Sequence, residues 1–103
     1  MKDKLIIVIN SIMELLIECN LVNKADWFKA KLEIIQKNDE HSEKFNTAIG
    51  DIKKVIAGMG SFTDISMMPK QDSKLSEREA RLKKFYLAEQ LDEVIIALLK
   101  KNV

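Results

Sequence analysis

The sequence predicts an all-α protein, either a four-helix bundle or an orthogonal array of helices. Apolar residues recur at steps of three and four in four separate stretches, which is the spacing of one helix face. No stretch alternates apolar and polar residues as a half-buried strand does. Two of the three glycines and the only proline lie within residues 57–69. This concentration predicts one irregular apolar turn at about residues 58–69.

Length and composition indicate one domain, residues 1–103, that buries roughly 65% of the surface of its unfolded chain. A net charge of +1 argues against a strongly basic nucleic-acid-binding protein. Cys19 is the only cysteine, so nothing indicates an oxidising compartment. The apolar run 5–9 is too short to cross a bilayer and lacks a cleavage site of the secretory type. We therefore expect a cytoplasmic protein that does not associate with membranes.

The first two helices are expected to supply much of the core. The first begins near an N-cap at Asp3 and ends at Asn20 or Asn23. Its apolar stripe follows steps of four and three and is widened on both sides, so it is expected to be central: Leu5, Ile9, Ile12, Leu16 and Cys19. The second helix is expected to run from a cap at Asn23 to about Gln36, with Trp27 as the largest core side chain.

The third helix follows the polar loop 37–43 and is expected to continue until Gly58 stops it. Gly50 lies inside this helix, where glycine costs ~1 kcal/mol relative to alanine. That cost predicts a neighbouring backbone close to Gly50. The turn that follows is expected to owe its shape to Gly58, Gly60 and Ser61, with Asp64 accepting a hydrogen bond from unpaired backbone.

The fourth helix has the clearest beginning. Ser76 and Glu79 form a capping box, and the helix is expected to run to about Lys101. The residues predicted to face inward are Leu82, Phe85, Tyr86, Ala88, Leu91, Val94, Ile95, Leu98 and Leu99.

Catalytic and metal-binding motifs are not apparent. His41 is the sole histidine and lies in a polar loop, so a zinc site or a hydrolytic triad is not expected. The sequence 58–61 lacks the lysine of a phosphate-binding loop and follows the C-terminal end of a helix, which disfavours anions. We expect neither an enzyme nor a cofactor.

Two features fit protein binding. An acidic loop could meet a basic partner such as a nuclease, and adjacent methionines could provide an adaptable apolar anchor. The expected contact residues are Asp39, Glu40 and Glu43 for the charges, and Met67 and Met68 for the anchor. The residues alone favour a plainer interpretation, a surface loop and a flap over the core.

A family resemblance makes the binding interpretation more specific. Trp27, the segment 49–52 and the segment 57–64 occur in an order that resembles a family of small helical bacterial proteins of undefined function, which carry a tryptophan helix and a Gly-Gly-Met-Gly-Ser-hydrophobic-x-Asp segment. The resemblance covers roughly residues 15–70, and Ala57 stands where the first glycine is usual. Members of that family are found among immunity proteins of polymorphic or contact-dependent growth inhibition toxins.

The resemblance implies a cytoplasmic antidote that binds one cognate toxin domain, often a nuclease, and blocks its active site or substrate groove. Under this interpretation Asp64 joins Asp39, Glu40 and Glu43 as an expected charged contact. Such a protein would not bind nucleic acid directly and would be a monomer or weak dimer in isolation. Two alternatives remain open. One is a helical adaptor that self-associates through the apolar faces of its first and last helices, and the other is a small nucleic-acid-binding regulator.

Overall fold

A computed structural model describes residues 1–57 and 66–100 of the chain. Within these residues the chain is all-α, and it contains α1 (Lys2–Glu18), α2 (Val22–Lys37), α3 (Glu43–Ala57) and α4 (Glu77–Lys100). The all-α prediction is confirmed. Residues Gly58, Gly60, Ser61 and Asp64 of the predicted turn lie outside the described residues.

The helices contact one another in a ring, α1 with α2, α2 with α3, α3 with α4 and α4 with α1. Within the described ranges, no Cα atoms of the diagonal pairs α1–α3 and α2–α4 come within 8 Å of each other. The molecule measures 44 × 22 × 22 Å. Short connections make α2 antiparallel to α1 and α3 antiparallel to α2, and the ring of contacts is compatible with a four-helix bundle.

Two hydrogen bonds identify the ends of the bundle. The Lys2 ammonium donates to the Asn38 carbonyl at 2.9 Å, which places the α2–α3 connection beside the start of α1. The Lys70 amide donates to the Glu18 carbonyl at 2.9 Å, which places the segment before α4 beside the end of α1. These two ends are ~24 Å apart, since sixteen steps of 1.5 Å separate the first and last residues of α1.

The bends at these ends depend on left-handed residues. Asn20 has a φ of 61°, and its amide bonds to the Ile17 carbonyl while the Leu21 amide bonds to the Leu16 carbonyl. This is a Schellman motif with asparagine in the position that glycine usually occupies. The prediction that Asn20 ends the first helix is confirmed.

The beginnings of α1 and α2 differ from the prediction. Asp3 lies in the first turn of α1, because the helix already begins at Lys2 with Met1 in the N-cap position. The second helix begins at Val22 with Leu21 in the N-cap position and without a side-chain cap, so Asn23 is inside the helix. The Leu21 carbonyl accepts a hydrogen bond from the Ala25 amide, so the helix extends back to the Schellman turn.

The largest fully buried side chain is Phe45 of α3, rather than Trp27. Trp27 is half-buried and packs edge-to-face on Phe28, with ring centroids 5.1 Å apart. The Lys31 ammonium lies 5.3 Å from the Trp27 ring centroid, so the ring also makes a cation–π contact. The sequence-based prediction that Trp27 is the main core side chain is therefore wrong.

Gly50 also differs from the prediction. Among the residues that the structure describes, a Cβ atom placed on Gly50 would meet no atom within 4 Å apart from its chain neighbours and its own helix backbone. The glycine is therefore not required by a close neighbouring backbone.

The buried face of α4 matches the prediction in the C-terminal half, from Ala88 to Leu98, and differs from it in the N-terminal half. Its capping box is confirmed, since the Glu79 amide donates to Ser76 Oγ at 3.1 Å and the Ser76 amide to Glu79 Oε1 at 3.3 Å. The buried residues of α4 include three that were not predicted, Ala80, Lys84 and Leu87. Three predicted core residues are instead exposed at the surface: Leu82, Phe85 and Tyr86.

Candidate functional site

The predicted binding residues do not form one site. Asp39, Glu40 and Glu43 lie at the end of the bundle where α2 meets α3, beside Lys2. Met68 lies two residues before Lys70, at the opposite end of α1. Because these ends are ~24 Å apart, the three carboxylates cannot surround the methionines. The structure therefore does not bring the acidic loop and the two methionines together, and Asp64 lies outside the described residues.

The two methionines also differ from each other. Met67 is 3% exposed and belongs to the core, whereas Met68 is 63% exposed. Only Met68 is presented as an apolar contact. Residues 66–70 form no helix, which agrees with the prediction of an irregular segment for the described part of the turn.

The α2–α3 end carries mixed charge. Asp39 and Glu43 are exposed, but Glu40 lies 3.3 Å from the His41 ring nitrogen Nε2. His41 has a φ of 74°, and its carbonyl accepts a hydrogen bond from the Asn46 side chain. The exposed lysines Lys37 and Lys44 flank this loop, so its three carboxylates do not make a strongly negative surface.

A different surface combines carboxylates with apolar side chains. A groove of about 850 Å³ separates the C-terminal half of α1 from the start of α4. We call it the acidic groove, because four carboxylates and two lysines line it. Its lining residues are Glu14, Leu15, Ile17, Glu18, Asp72, Ser73, Lys74, Leu75, Glu79 and Lys83.

The wall of the acidic groove is built by hydrogen-bonded backbone. Lys70 is tied to the Glu18 carbonyl, and the Ser73 amide returns to the Lys70 carbonyl at 3.0 Å. Ser73 Oγ then accepts from the Leu75 amide at 3.1 Å, one residue before the capping box begins. Residues 70–79 are thus held against α1 by a sequence of short local contacts, which gives the groove a defined shape.

Two of the groove carboxylates occupy positions that are unfavourable for the helix. Glu18 is the last residue of α1, Glu14 lies one turn before it, and the last turn of α1 contains no basic residue. The C-terminal end of a helix carries partial negative charge and favours cations. Burial raises the pKa of the neighbouring Cys19 thiol, and the charge of Glu18 raises it further. Functional sites often retain such local conflicts.

The sequence contained part of this information. Acidic residues without a basic residue at the end of a predicted helix are visible in the printed sequence and contradict the usual preference. Their meeting with Asp72 and Glu79 was not visible, because more than fifty residues separate the two walls along the chain. Periodicity identifies the face of a helix but not the element that lies beside it.

A second groove, between α2 and α3, is electrically balanced. It has a volume of about 660 Å³, and its charged lining consists of three lysines and three acidic residues: Lys31, Glu33, Lys37, Glu43, Lys44 and Asp51. The Lys31 ammonium donates to Asp51 Oδ2 at 2.8 Å. This hydrogen bond and the charge of Lys31 lower the pKa of the Asp51 carboxyl. The pair therefore holds α2 against α3 rather than presenting free charge.

Catalytic and metal ligands are not brought together in the part of the chain that the structure describes. His41 lies at the α2–α3 end, whereas Cys19 is buried at the far end of α1. Across residues 1–57 and 66–100, no three of the histidine, cysteine, aspartate and glutamate side chains are grouped so that they could hold a metal ion. Nor does any helix in these ranges have the length and apolar character needed to cross a membrane.

Neither the family models nor the curated proteins nor the solved structures compared with this chain match it. The resemblance to the immunity-associated family thus rests on the residues that carry it, Trp27 and the segments 49–52 and 57–64.

Proposed function

We propose that this chain is a cytoplasmic immunity protein that binds and neutralises one cognate bacterial toxin domain, a nuclease. The proposal combines the family resemblance with one structural observation, the acidic groove, whose lining places four carboxylates around the partly exposed side chain of Ile17. A nuclease presents a basic cleft to its nucleic acid, and a surface of carboxylates around apolar contacts complements such a cleft.

The physical mechanism is occupation of the toxin's substrate groove. Carboxylates of the inhibitor stand where the phosphates of the nucleic acid would lie, while apolar side chains exclude water from the centre of the contact. Glu14, Glu18 and Asp72 provide the charges in this proposal. Met68 and Ile17, which is 44% exposed, provide the apolar contacts. No bond is made or broken by the inhibitor.

Glu14 and Glu18 support this role because their position weakens the helix that carries them. A lysine at either position would complement the helix dipole by about 0.3–1 kcal/mol. A basic partner that neutralises the carboxylates of Glu14 and Glu18 would offset this unfavourable interaction with the helix dipole. Asp39, Glu40 and Glu43 form the second candidate surface, and their flanking lysines make it the weaker one.

The test examines the reading frame directly upstream of this chain for a toxin domain and then titrates this chain against that domain. We expect the parent protein to bind that domain and to protect cells that express it. Glu14→Lys together with Glu18→Lys should weaken binding by at least about tenfold, because like charges then face each other across the interface. The unfolding midpoint of this variant should not fall, since lysine suits the end of a helix.

The matched control is Asp39→Lys together with Glu43→Lys, which changes the net charge by the same amount at the other end of the bundle. We expect its dissociation constant to stay within about threefold of the parent value. Equal affinity of the parent and both variants would exclude both acidic surfaces as the interface. An upstream reading frame without a toxin domain, or a chain that fails to protect, would refute the function itself.

A further inference from the structure

The outward face of α4 carries three large apolar side chains in solvent. Leu82 is 58% exposed, Phe85 is 50% exposed and Tyr86 is 60% exposed. They lie opposite the buried face of the same helix, which packs on α1 and α3. Isolated apolar residues are common on protein surfaces, but a contiguous aromatic group usually marks a contact.

Charged residues extend this group along the helix. Arg78 lies one turn before Leu82, Glu89 one turn after Phe85, and Glu93 one turn after Glu89, all of them exposed. We call these six residues the outer face of α4: Arg78, Leu82, Phe85, Tyr86, Glu89 and Glu93. The spacing between successive members is four, three, one, three and four. This order reads the same in both directions, with its centre between Phe85 and Tyr86.

We propose that the outer face of α4 binds the same face of a second copy of this chain, with the two helices antiparallel. A two-fold axis between Phe85 and Tyr86 places each of these rings opposite the other ring type of the partner helix. The same axis places Leu82 opposite Glu89, where the glutamate stem covers the leucine. It also places Arg78 opposite Glu93. The contact is isologous, so every pairing occurs twice.

The charges of the face favour this occupant. Within the described residues neither Arg78 nor Glu93 takes part in a salt bridge of its own chain. Glu89 and Glu93 are spaced four residues apart on one helix, a like-charge arrangement that destabilises an isolated helix. In an antiparallel pair, Arg78 of the second copy lies beside Glu89 and Glu93 of the first. A uniformly acidic or basic partner would be repelled by one end of the face.

The size of the contact predicts a weak dimer. The outer face is a single helix face ~22 Å long. The area that such a face can bury is smaller than that of the standard interface of stable complexes. The proposal does not rest on the proposed function. The acidic groove uses Glu79 and Lys83, which are not members of the outer face.

The first test is sedimentation equilibrium of the purified full chain, without any toxin, from about 1 µM to about 1 mM, a range chosen for a small interface. We expect a monomer–dimer equilibrium in this range. Leu82→Gln together with Tyr86→Gln should raise the dissociation constant by about tenfold or more, because the apolar centre is lost. The matched control is Ile7→Gln, at an α1 residue that is 66% exposed and lies on another helix; its dissociation constant should equal that of the parent.

The second test exchanges the end charges. Arg78→Glu alone and Glu93→Arg alone each place like charges opposite each other twice, so each variant should dimerise about fivefold more weakly at low salt. An equimolar mixture of the two variants should form a heterodimer at least as tight as the parent dimer. The doubly exchanged chain, R78E with E93R, should also regain the parent value.

The results separate the proposal from its competitors. A parent that remains a monomer at about 1 mM overturns it. A dimer that is unaffected by L82Q with Y86Q places the interface elsewhere and also overturns it. A mixture of R78E and E93R that associates no better than either variant alone excludes the antiparallel pairing. Circular dichroism of each variant verifies that α4 remains helical.

Discussion

Asn20 and His41 are the two non-glycine residues with positive φ within the described residues. Each lies at a sharp change of chain direction: Asn20 after α1, where carbonyls at a helix end need donors, and His41 before α3, where amides at a helix start need acceptors. Asparagine tolerates the left-handed region better than most residues because its side chain is short and polar. At Asn20 this conformation permits the two hydrogen bonds that close α1 on the Leu16 and Ile17 carbonyls.

At Gly50, by contrast, no close neighbouring backbone requires a glycine. Gly50→Ala should raise the free energy of unfolding by about 0.5–1 kcal/mol, since the methyl group finds open space and the unfolded chain loses freedom. Urea denaturation measures the change. Ala30→Gly, at an exposed position of α2, is the reverse control and should lower stability by a similar amount. A loss of stability in Gly50→Ala would mean that the site is crowded.

At the scale of the elements, α4 shows which face is buried when a helix carries apolar residues on several sides. Its first half offers two faces, one with Leu82, Phe85 and Tyr86 and the other with Ala80, Lys84 and Leu87. The second face is buried because it continues directly into the stripe of the C-terminal half, through Leu91, Val94, Ile95 and Leu98. Lys84 is accommodated on that face with its ammonium 4.6 Å from the Phe85 ring centroid.

A pair of identical substitutions tests this assignment. Phe45→Ala should destabilise the protein by about 3–5 kcal/mol, because Phe45 is fully buried and a cavity would remain. Phe85→Ala should cost less than about 1 kcal/mol, because half of the ring is already exposed. Thermal or urea unfolding of both variants gives the comparison. Equal losses would mean that α4 buries the face predicted from its sequence.

At the scale of the whole molecule, ion pairs tie neighbouring helices together. Lys31 and Asp51 join α2 to α3 at 2.8 Å, and Lys53 and Asp92 join α3 to α4 at 3.5 Å. The stronger contact is the first, where the hydrogen bond from Lys31 and its charge lower the pKa of Asp51 from its ordinary value of 3.8.

This lowered pKa predicts a dependence of stability on pH. A carboxyl whose pKa is lower in the folded than in the unfolded state stabilises the fold above the unfolded pKa, and that contribution is lost as the pH falls through the folded pKa. The parent should therefore lose stability below about pH 4 more steeply than Asp51→Asn. Urea denaturation between about pH 6 and pH 2.5 measures both slopes.

Lys31→Gln is the matched variant from the other side of the pair. It also removes the contact with Trp27, which shifts stability equally at all pH values, but its slope below about pH 4 should resemble that of Asp51→Asn. Parallel acid profiles for the parent and both variants would show that the pair contributes no linkage to folding.

The sequence by itself determined the all-α fold class and two of the signals at helix ends, the exit of α1 at Asn20 and the capping box at Ser76 and Glu79. Steps of three and four and these two signals depend on residues close together in the chain, so local physics suffices to identify them. The face that α4 buries, the half-exposed position of Trp27 and the open space at Gly50 were decided only by the tertiary structure.

The candidate sites follow the same division. The carboxylates that line the acidic groove were visible as individual residues, but Glu18 meets Lys70 and its neighbours only after three helices have packed. The separation of Met68 from Asp39, Glu40 and Glu43 likewise depends on which end of the bundle each connection occupies. A surface is a property of elements placed side by side, and periodicity along the chain does not specify which elements become neighbours.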